Sequence, residues 1–417
     1  MTSNASPVRV DRTVLALAAY TTVVAALSAR VFLMADKSGD YVTFLEPWTR
    51  HIADHGGFQA LADPGFSDYN VPYLYLLAAL TYLPLSPLTG IKCVSILFDL
   101  ALAYTTFRIV ARLRPTPSWA AFGAGAVVLF LPTVVTNSGW WGQCDAVYAA
   151  FLVGGIHQVL RHRPWWACTF FGVALAFKFQ AVFLFPFLLV LVLLGRVPWR
   201  SLLAVPGAYL VLDLPALALG ADPWRLLTVY ARQTGTYRLL SVNAPSLYEF
   251  VSVPGDTDAV RTAGVLVAGT LVALLAALTV WALRRGRPDG PRPTDTQVVL
   301  TAVCSAIVVP FLLPSMHERY FYVADVLTVT AAFALPRRLW YVPVLVQLAS
   351  FGSYLKCNSG QLAPYLSMPA HSALMLLALL AVVRTTAREL RRGREPGVSY
   401  ERPATAAGTR SPVSSAT

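Results

Sequence analysis

A few polar residues stand in an otherwise apolar chain where their types could do chemistry at a membrane boundary. Asp40 closes the string SGDY a few residues beyond the first apolar run. A carboxylate held there could serve as a general base. Equally, Asp36, Glu46, Asp54, Asp63 and Asp68 make it one member of a solvated acidic loop. Asp145 closes GWWGQCD at the head of another apolar run, as a helix-capping carboxylate beside an interfacial aromatic belt or as a substrate ligand. Lys178, in FKFQ, separates two apolar runs with almost no loop between them. A lysine there costs roughly a few kcal/mol unless it snorkels or meets an anion, which points to a ligand or partner. His317, Glu318 and Arg319 follow one another in MHERY, between two apolar runs. Three consecutive ionisable residues exceed what an interface needs, although Glu318 could simply pair with a basic neighbour. Arg232 and Asn243 sit among Tyr230, Tyr237, Arg238 and the NAPSLY stretch Asn243–Tyr248, a mixture that suits sugar or phosphate contact.

The elements that must carry these residues are membrane spans. With 56% hydrophobic and 13% charged residues and a mean hydropathy of +0.57, the 417 residues allow about a dozen crossings at roughly twenty apolar residues each. No nucleotide-binding domain of ordinary size fits beside them. GxGxxG after a strand, GxxxxGKS/T, HExxH and paired CxxC are all missing, which excludes the common cofactor and metal signatures. The net charge of +12 lies in short clusters between apolar runs, a topology signal and not one for nucleic acid. Of the five cysteines, Cys93, Cys168 and Cys304 fall inside apolar segments as small hydrophobes, and no disulfide is expected from Cys144 and Cys357.

Apolar runs predict about twelve spans, at 13–34, 91–111, 118–136, 146–160, 164–178, 180–195, 201–220, 260–283, 297–314, 320–335, 339–355 and 367–383. The run 71–84 is too short and reads as a re-entrant or interfacial helix. If it does not cross, the arginine clusters from Arg9/Arg12 to Arg384–Arg394 share one side, which the positive-inside rule makes the cytoplasm. The expected architecture is an all-α polytopic membrane protein with a single transmembrane domain over 1–385 and both termini cytoplasmic. A long first external loop, 35–90, carries membrane-surface helices, and a second spans 221–259. The tail 386–417 reads as disordered. SGDY, GWWGQCD, FKFQ and MHERY then all arrive at the external face, as do all four lysines, Lys37, Lys92, Lys178 and Lys356, where positive charge is not normally kept. Arg30, Asp99, Asp213 and Asp325 lie within spans and are read as pairing with one another as structural glue.

As a set, SGDY, GWWGQCD, ALAFKFQAVFLFP (Ala174–Pro186) and PSMHERYFY (Pro314–Tyr322) resemble the bacterial integral-membrane glycosyltransferases related to the GPI-anchor second mannosyltransferase, in the GT-C superfamily. The resemblance runs in order from about residue 13 to 335. It implies a polyprenyl-phosphate sugar as donor and an Asp in the first external loop as catalytic base, which Asp40 matches, with Asp36 close by. On this reading the enzyme moves a mannose or similar hexose to an extracytoplasmic acceptor, a lipid-linked glycan, polysaccharide or protein, by inverting displacement at the cell membrane. Lys178, His317 and Arg319 would stabilise the leaving lipid phosphate, with Glu318, Arg232 and Asn243 among the substrate contacts. Asp145 would position the acceptor or, with Asp40, hold a divalent cation, though two carboxylates assign no metal. A lipid-linked glycan ligase or polymerase with a diphosphate donor is the nearest alternative. A transporter or flippase fits less well, since the polar clusters sit at one face and no repeat is evident.

Overall fold

The computed structural model describes residues 12–114, 119–233, 239–251, 257–285 and 293–392, and each predicted apolar run is helical within them. After α1 (Arg12–Val31) come α2 (Glu46–Asp54) and α3 (Val71–Leu80) in the first loop, then α4 (Pro87–Leu113), α5 (Trp119–Phe130) and the short α6 (Pro132–Val135). The chain continues through α7 (Asp145–Leu160), α8 (Pro164–Phe177), α9 (Phe185–Leu193), α10 (Ala204–Ala218) and the short α11 (Pro223–Leu227) and α12 (Val229–Gln233). β1 (Ser241–Val242) precedes α13 (Thr257–Arg284) and α14 (Asp295–Leu312); β2 (Met316–His317) precedes α15 (Tyr322–Ala334), α16 (Pro336–Leu339), α17 (Val342–Asn358) and α18 (Met368–Arg392).

Local chemistry sets these boundaries. Proline occupies the first turn of α3, α4, α8 and α17, where its missing N–H would have no partner anyway. Thr294 and Gln297 cap α14 reciprocally. Pro132 stops α5 at Phe130, and the chain resumes at a 48° bend. Small residues let backbones approach: a Cβ on Gly125 of α5 would lie 2.9 Å from the Ala103 carbonyl of α4, and Gly172 of α8 is closed in likewise by Val205 of α10.

The chain is an all-α polytopic membrane protein. Among the described residues six helices, at 13–31, 87–113, 199–218, 257–284, 295–312 and 368–391, are long and apolar enough to cross a membrane, and a seventh if the bent pair at 119–141 counts as one. Among the same residues five shorter apolar helices, α3, α7, α8, Phe179–Leu193 and α15, have 10 to 17 residues. α14 is the central one, with 72% of its apolar window buried, against 11% for α1. With ten residues, α3 reaches about 15 Å, half of a hydrocarbon core. It packs with α2 into its own apolar cluster, in which Trp48, Ile52, Leu61, Val71 and Leu74 meet Ile91 of α4, Val147 of α7 and Ala216 of α10. The expected disordered tail begins later than 386: α18 continues to Arg392 because Leu390 packs against Leu194 and Val280, and Glu389 pairs with Arg338. The rest of that tail lies outside the described residues.

Ion pairs show which helix ends meet. Arg112 at the end of α4 and Arg196 after α9 both reach Asp295 at the start of α14, at 2.8 and 2.9 Å. Arg284, ending α13, donates to the Leu193 carbonyl at 2.6 Å. The other end of the bundle holds the polar strings: Ser38 donates to the Trp141 carbonyl at 2.8 Å, and β1 pairs in parallel with β2, Val242 opposite His317.

Candidate active site

Asp40 begins the helical turn that leads through a wide-turned stretch, Tyr41–Leu45, into α2. Three donors converge on one of its oxygens: Trp141 Nε1 at 3.2 Å, Gln143 Nε2, and Arg319 Nη1 at 3.2 Å all reach Oδ2. Among the described residues no donor reaches Oδ1, and the side chain remains 31% exposed. A carboxylate anchored through one oxygen and open at the other can accept a proton without losing its place. Asp36, by contrast, is exposed and contributes only its backbone, the carbonyl accepting from Lys92 at 2.7 Å and the N–H donating to the Leu33 carbonyl at 3.4 Å.

Asp145 opens α7 and is buried, its Oδ1 paired with Lys178 Nζ and its Oδ2 accepting from Asn137 Nδ2 at 2.8 Å. The GWWGQCD string reaches both carboxylates because Gly142 takes a left-handed turn, φ 75°, between the Trp141 helix end and α7, a conformation that glycine adopts without strain. Lys178 sits in extended backbone at the end of α8, its ammonium 5.8 Å from the ring centres of both Tyr69 and Tyr148.

Arg319 joins the parts. Besides Asp40 it donates through Nη1 to Glu318 Oε1 at 2.9 Å, and its Nε lies 3.8 Å from Asp145 Oδ2, too far for a hydrogen bond. That buried Nε–H has no acceptor among the described residues. The guanidinium stands 5.5 Å over the Trp141 ring. His317 Nδ1 is 3.6 Å from Glu318 Oε2. Burial works against the Glu318 charge, but the His317 ring and the Arg319 guanidinium outweigh it and hold the carboxyl below its usual range. Two full cations, Lys178 and Arg319, thus face three carboxylates. No group of three or more His, Cys, Asp or Glu among the described residues is placed to hold a metal ion. A cation between Asp40 and Asp145 would have to displace Arg319.

Asp40, Asp145, Lys178, His317, Glu318 and Arg319 come together, whereas two expected contacts do not join them. Arg232 is exposed and turned back toward α11, to Thr228 Oγ1 at 2.7 Å and the Arg225 carbonyl at 2.9 Å. Asn243 serves through its backbone: at φ 56° it bridges to His317, and its carbonyl accepts from Ser353 of α17. Of the four lysines only Lys178 reaches the cluster. Lys37 pairs with Glu46 at 3.1 Å, Lys356 donates to the Ala363 carbonyl at 2.6 Å, and Lys92 is spent on backbone carbonyls. Of the four residues read as structural glue, Arg30 and Asp99 do pair, and Asp213 and Asp325 take neutral partners instead. Asp99 takes Arg30 at 2.9 Å, Asp213 accepts from Asn70 at 3.3 Å, and Asp325 from Ser350 at 3.1 Å. Trp141, Gln143 and Asn137 were not foreseen as site residues. The first two lie in the string that ends at Asp145, and Asn137 is a lone amide in an apolar run.

No curated protein matches the chain. The profile of glycosyltransferase family 87 matches residues 66–310, which takes in Asp145 and Lys178 but begins after Asp40 and ends before His317. That match covers more than half of the sequence, and the chain therefore belongs to glycosyltransferase family 87.

Proposed function

We propose that this membrane glycosyltransferase moves a hexose, mannose or a close relative, from a polyprenyl-phosphate donor to an extracytoplasmic acceptor with inversion. The proposal includes about twelve crossings in a single domain over 1–385, both termini in the cytoplasm, the site at the outer face, and kinship with the GT-C enzymes of the GPI-anchor second mannosyltransferase type. The observation that carries it is the anchored Asp40, open at Oδ1, beside a buried guanidinium that has an unused N–H.

In this mechanism Asp40 Oδ1 takes the proton of an acceptor hydroxyl as its oxygen bonds to the anomeric carbon. The bond from that carbon to the phosphate oxygen breaks on the opposite face, so the configuration inverts. The lipid phosphate leaves with the electron pair, and Lys178, Arg319 and His317 would stabilise its charge. A phosphate drawn to Arg319 competes with Asp40 for the same Nη1, so donor binding loosens one of three holds on the base and leaves those of Trp141 and Gln143. The decisive test offers the purified protein a panel of radiolabelled polyprenyl-phosphate hexoses beside nucleotide and polyprenyl-diphosphate sugars. Turnover of a polyprenyl-phosphate hexose is expected. Turnover confined to diphosphate donors would replace the reading with that of a glycan ligase or polymerase.

A further inference from the structure

Lys92 is a buried cation that the proposed chemistry does not use. It lies in the second turn of α4, fully out of solvent, and its ammonium donates to the carbonyls of Leu33 at 2.8 Å, Met34 at 3.3 Å and Asp36 at 2.7 Å. An ammonium has three N–H donors, and three carbonyls meet them. All three acceptors belong to the segment that follows α1 and leads to Asp40. Joining α1 to α4 does not require this lysine, because the Arg30–Asp99 pair already ties the two helices at 2.9 Å.

One turn further along the same face of α4, the buried Ser95 donates to the Gln143 carbonyl at 2.7 Å. Gln143 is one of the three donors to Asp40 Oδ2. The stem of Lys92 also runs beneath Gly142, 3.5 Å from where a Cβ would stand. Two residues three apart on one helix therefore hold the two chain segments whose meeting defines the base: Lys92 the segment that carries Asp40, Ser95 the segment that carries Gln143. Without the ammonium, the carbonyls of Met34 and Asp36 lose its N–H donors and that of Leu33 keeps only the Asp36 N–H at 3.4 Å, which leaves Ser38 on the Trp141 carbonyl as the remaining hold on the 33–38 segment.

We infer that Lys92 and Ser95 are positioning residues, which hold the Asp40 carboxylate against Gln143 in the geometry that proton transfer requires. The inference rests on Asp40 being the base. A displacement of about 1 Å at a reacting group can cost roughly a hundredfold. Lys92→Met keeps the length of the stem and removes the donors, and Ser95→Ala removes one hydroxyl with little change of volume.

Two measurements in detergent micelles test it. Amide hydrogen exchange needs no ligand: Lys92→Met should speed exchange across 33–41, and Ser95→Ala across 141–145, by at least about tenfold with the rest of α4 unchanged. Turnover of the polyprenyl-phosphate hexose that the wild type accepts should fall about a hundredfold in Lys92→Met with the donor KM unchanged, and Lys92→Met should cost nothing more when added to Asp40→Asn. Wild-type exchange in both variants overturns the inference whatever the chemistry. So does full turnover in both variants where Asp40→Asn is inactive, an outcome that leaves the base in place. A further loss on top of Asp40→Asn also overturns it, by making Lys92 a general support of the fold. If Lys92→Met does not fold, Ser95→Ala decides by the same criteria. Normal turnover in Asp40→Asn instead removes the base itself, and with it the purpose assigned to both residues.

Discussion

Replacing Asp40 by Asn separates anchoring from proton transfer. The amide oxygen can take the place of Oδ2, where Trp141, Gln143 and Arg319 all donate. The amide nitrogen then falls at Oδ1, where no described residue donates; the reverse orientation would point an NH2 at three donors. The turn should therefore keep its position. What is lost in stability is the charge on one contact, Arg319 Nη1 at 3.2 Å, at a side chain 31% exposed. A partly solvated pair of this kind is worth about 1 kcal/mol or less. What is lost in chemistry is the proton acceptor, typically about a hundred- to ten-thousand-fold in rate, or roughly 3 to 5 kcal/mol of barrier.

The two losses differ enough to be told apart in one preparation. Thermal unfolding in detergent should move little, donor affinity should hold, and initial rates of sugar transfer should collapse. Asp36→Asn is the internal control, since the residue is exposed and only its backbone is engaged; it should transfer sugar at the wild-type rate. Near-normal turnover in Asp40→Asn, or an inactive Asp36→Asn, would refute the assignment of the base.

Lys178→Met strands the Asp145 carboxylate in a buried site and should destabilise the protein by about 3 to 5 kcal/mol, whereas Lys178→Met with Asp145→Asn should recover much of that stability without recovering transfer; denaturation midpoints in detergent read the difference, and equal midpoints would show that the pair carries no such coupling. Because the Glu318 carboxyl is held below its usual range, it contributes stability that is fully present above about pH 4.3 and is lost as the pH falls through its depressed folded value. Melting curves taken from pH 6 downward should show that acid loss in the wild type and a smaller one in Glu318→Gln; identical slopes would remove the ion pair from the account. With the exposed Cys93 and Cys357 replaced by Ser, a cysteine at Gln361 should react with an impermeant maleimide from outside intact cells and one at Arg200 should not, and the opposite pattern would invert the proposed orientation.

Much of this arrangement was legible in the sequence because length, charge and depth are linear properties. Apolar runs located the helices, the short run 71–84 holds a helix of ten residues, and Asp40, Asp145, Lys178 and Arg319, which the expected parity assigns to one face, are brought together. Facing directions are not linear. Nothing in the spacing of Lys92 and Lys178 says that one spends its ammonium on carbonyls and the other on a carboxylate; that depends on which face of α4 and α8 meets which neighbour. Arg232 looked like a ligand by type, yet its acceptors are Thr228 and the Arg225 carbonyl, in the chain just before it. Gln143 and Asn137 carry no charge to betray them, so a neutral amide that organises a carboxylate passes for polar filling. The start of the tail was misjudged for a related reason: a basic, polar stretch remains helical as far as its one inward leucine, Leu390, finds a partner.

The same charges that looked expensive as single residues become intelligible as a closed network. A lone lysine or arginine at a membrane boundary pays for its desolvation with no return. Here Lys178 rests on Asp145, and Arg319 spans Asp40, Glu318 and Asp145, so the cations are already neutralised before any substrate arrives. With three carboxylates facing two cations, the network gives an approaching anion no excess of positive charge. Attraction at long range is therefore not what the proposed donor would exploit. Its phosphate must exchange for carboxylate contacts at close range, and the buried Arg319 Nε–H, which no described acceptor uses, is where that exchange starts without first breaking a bond. Selectivity then falls to ligands whose phosphate can engage this N–H while leaving the Trp141 and Gln143 holds on Asp40 intact.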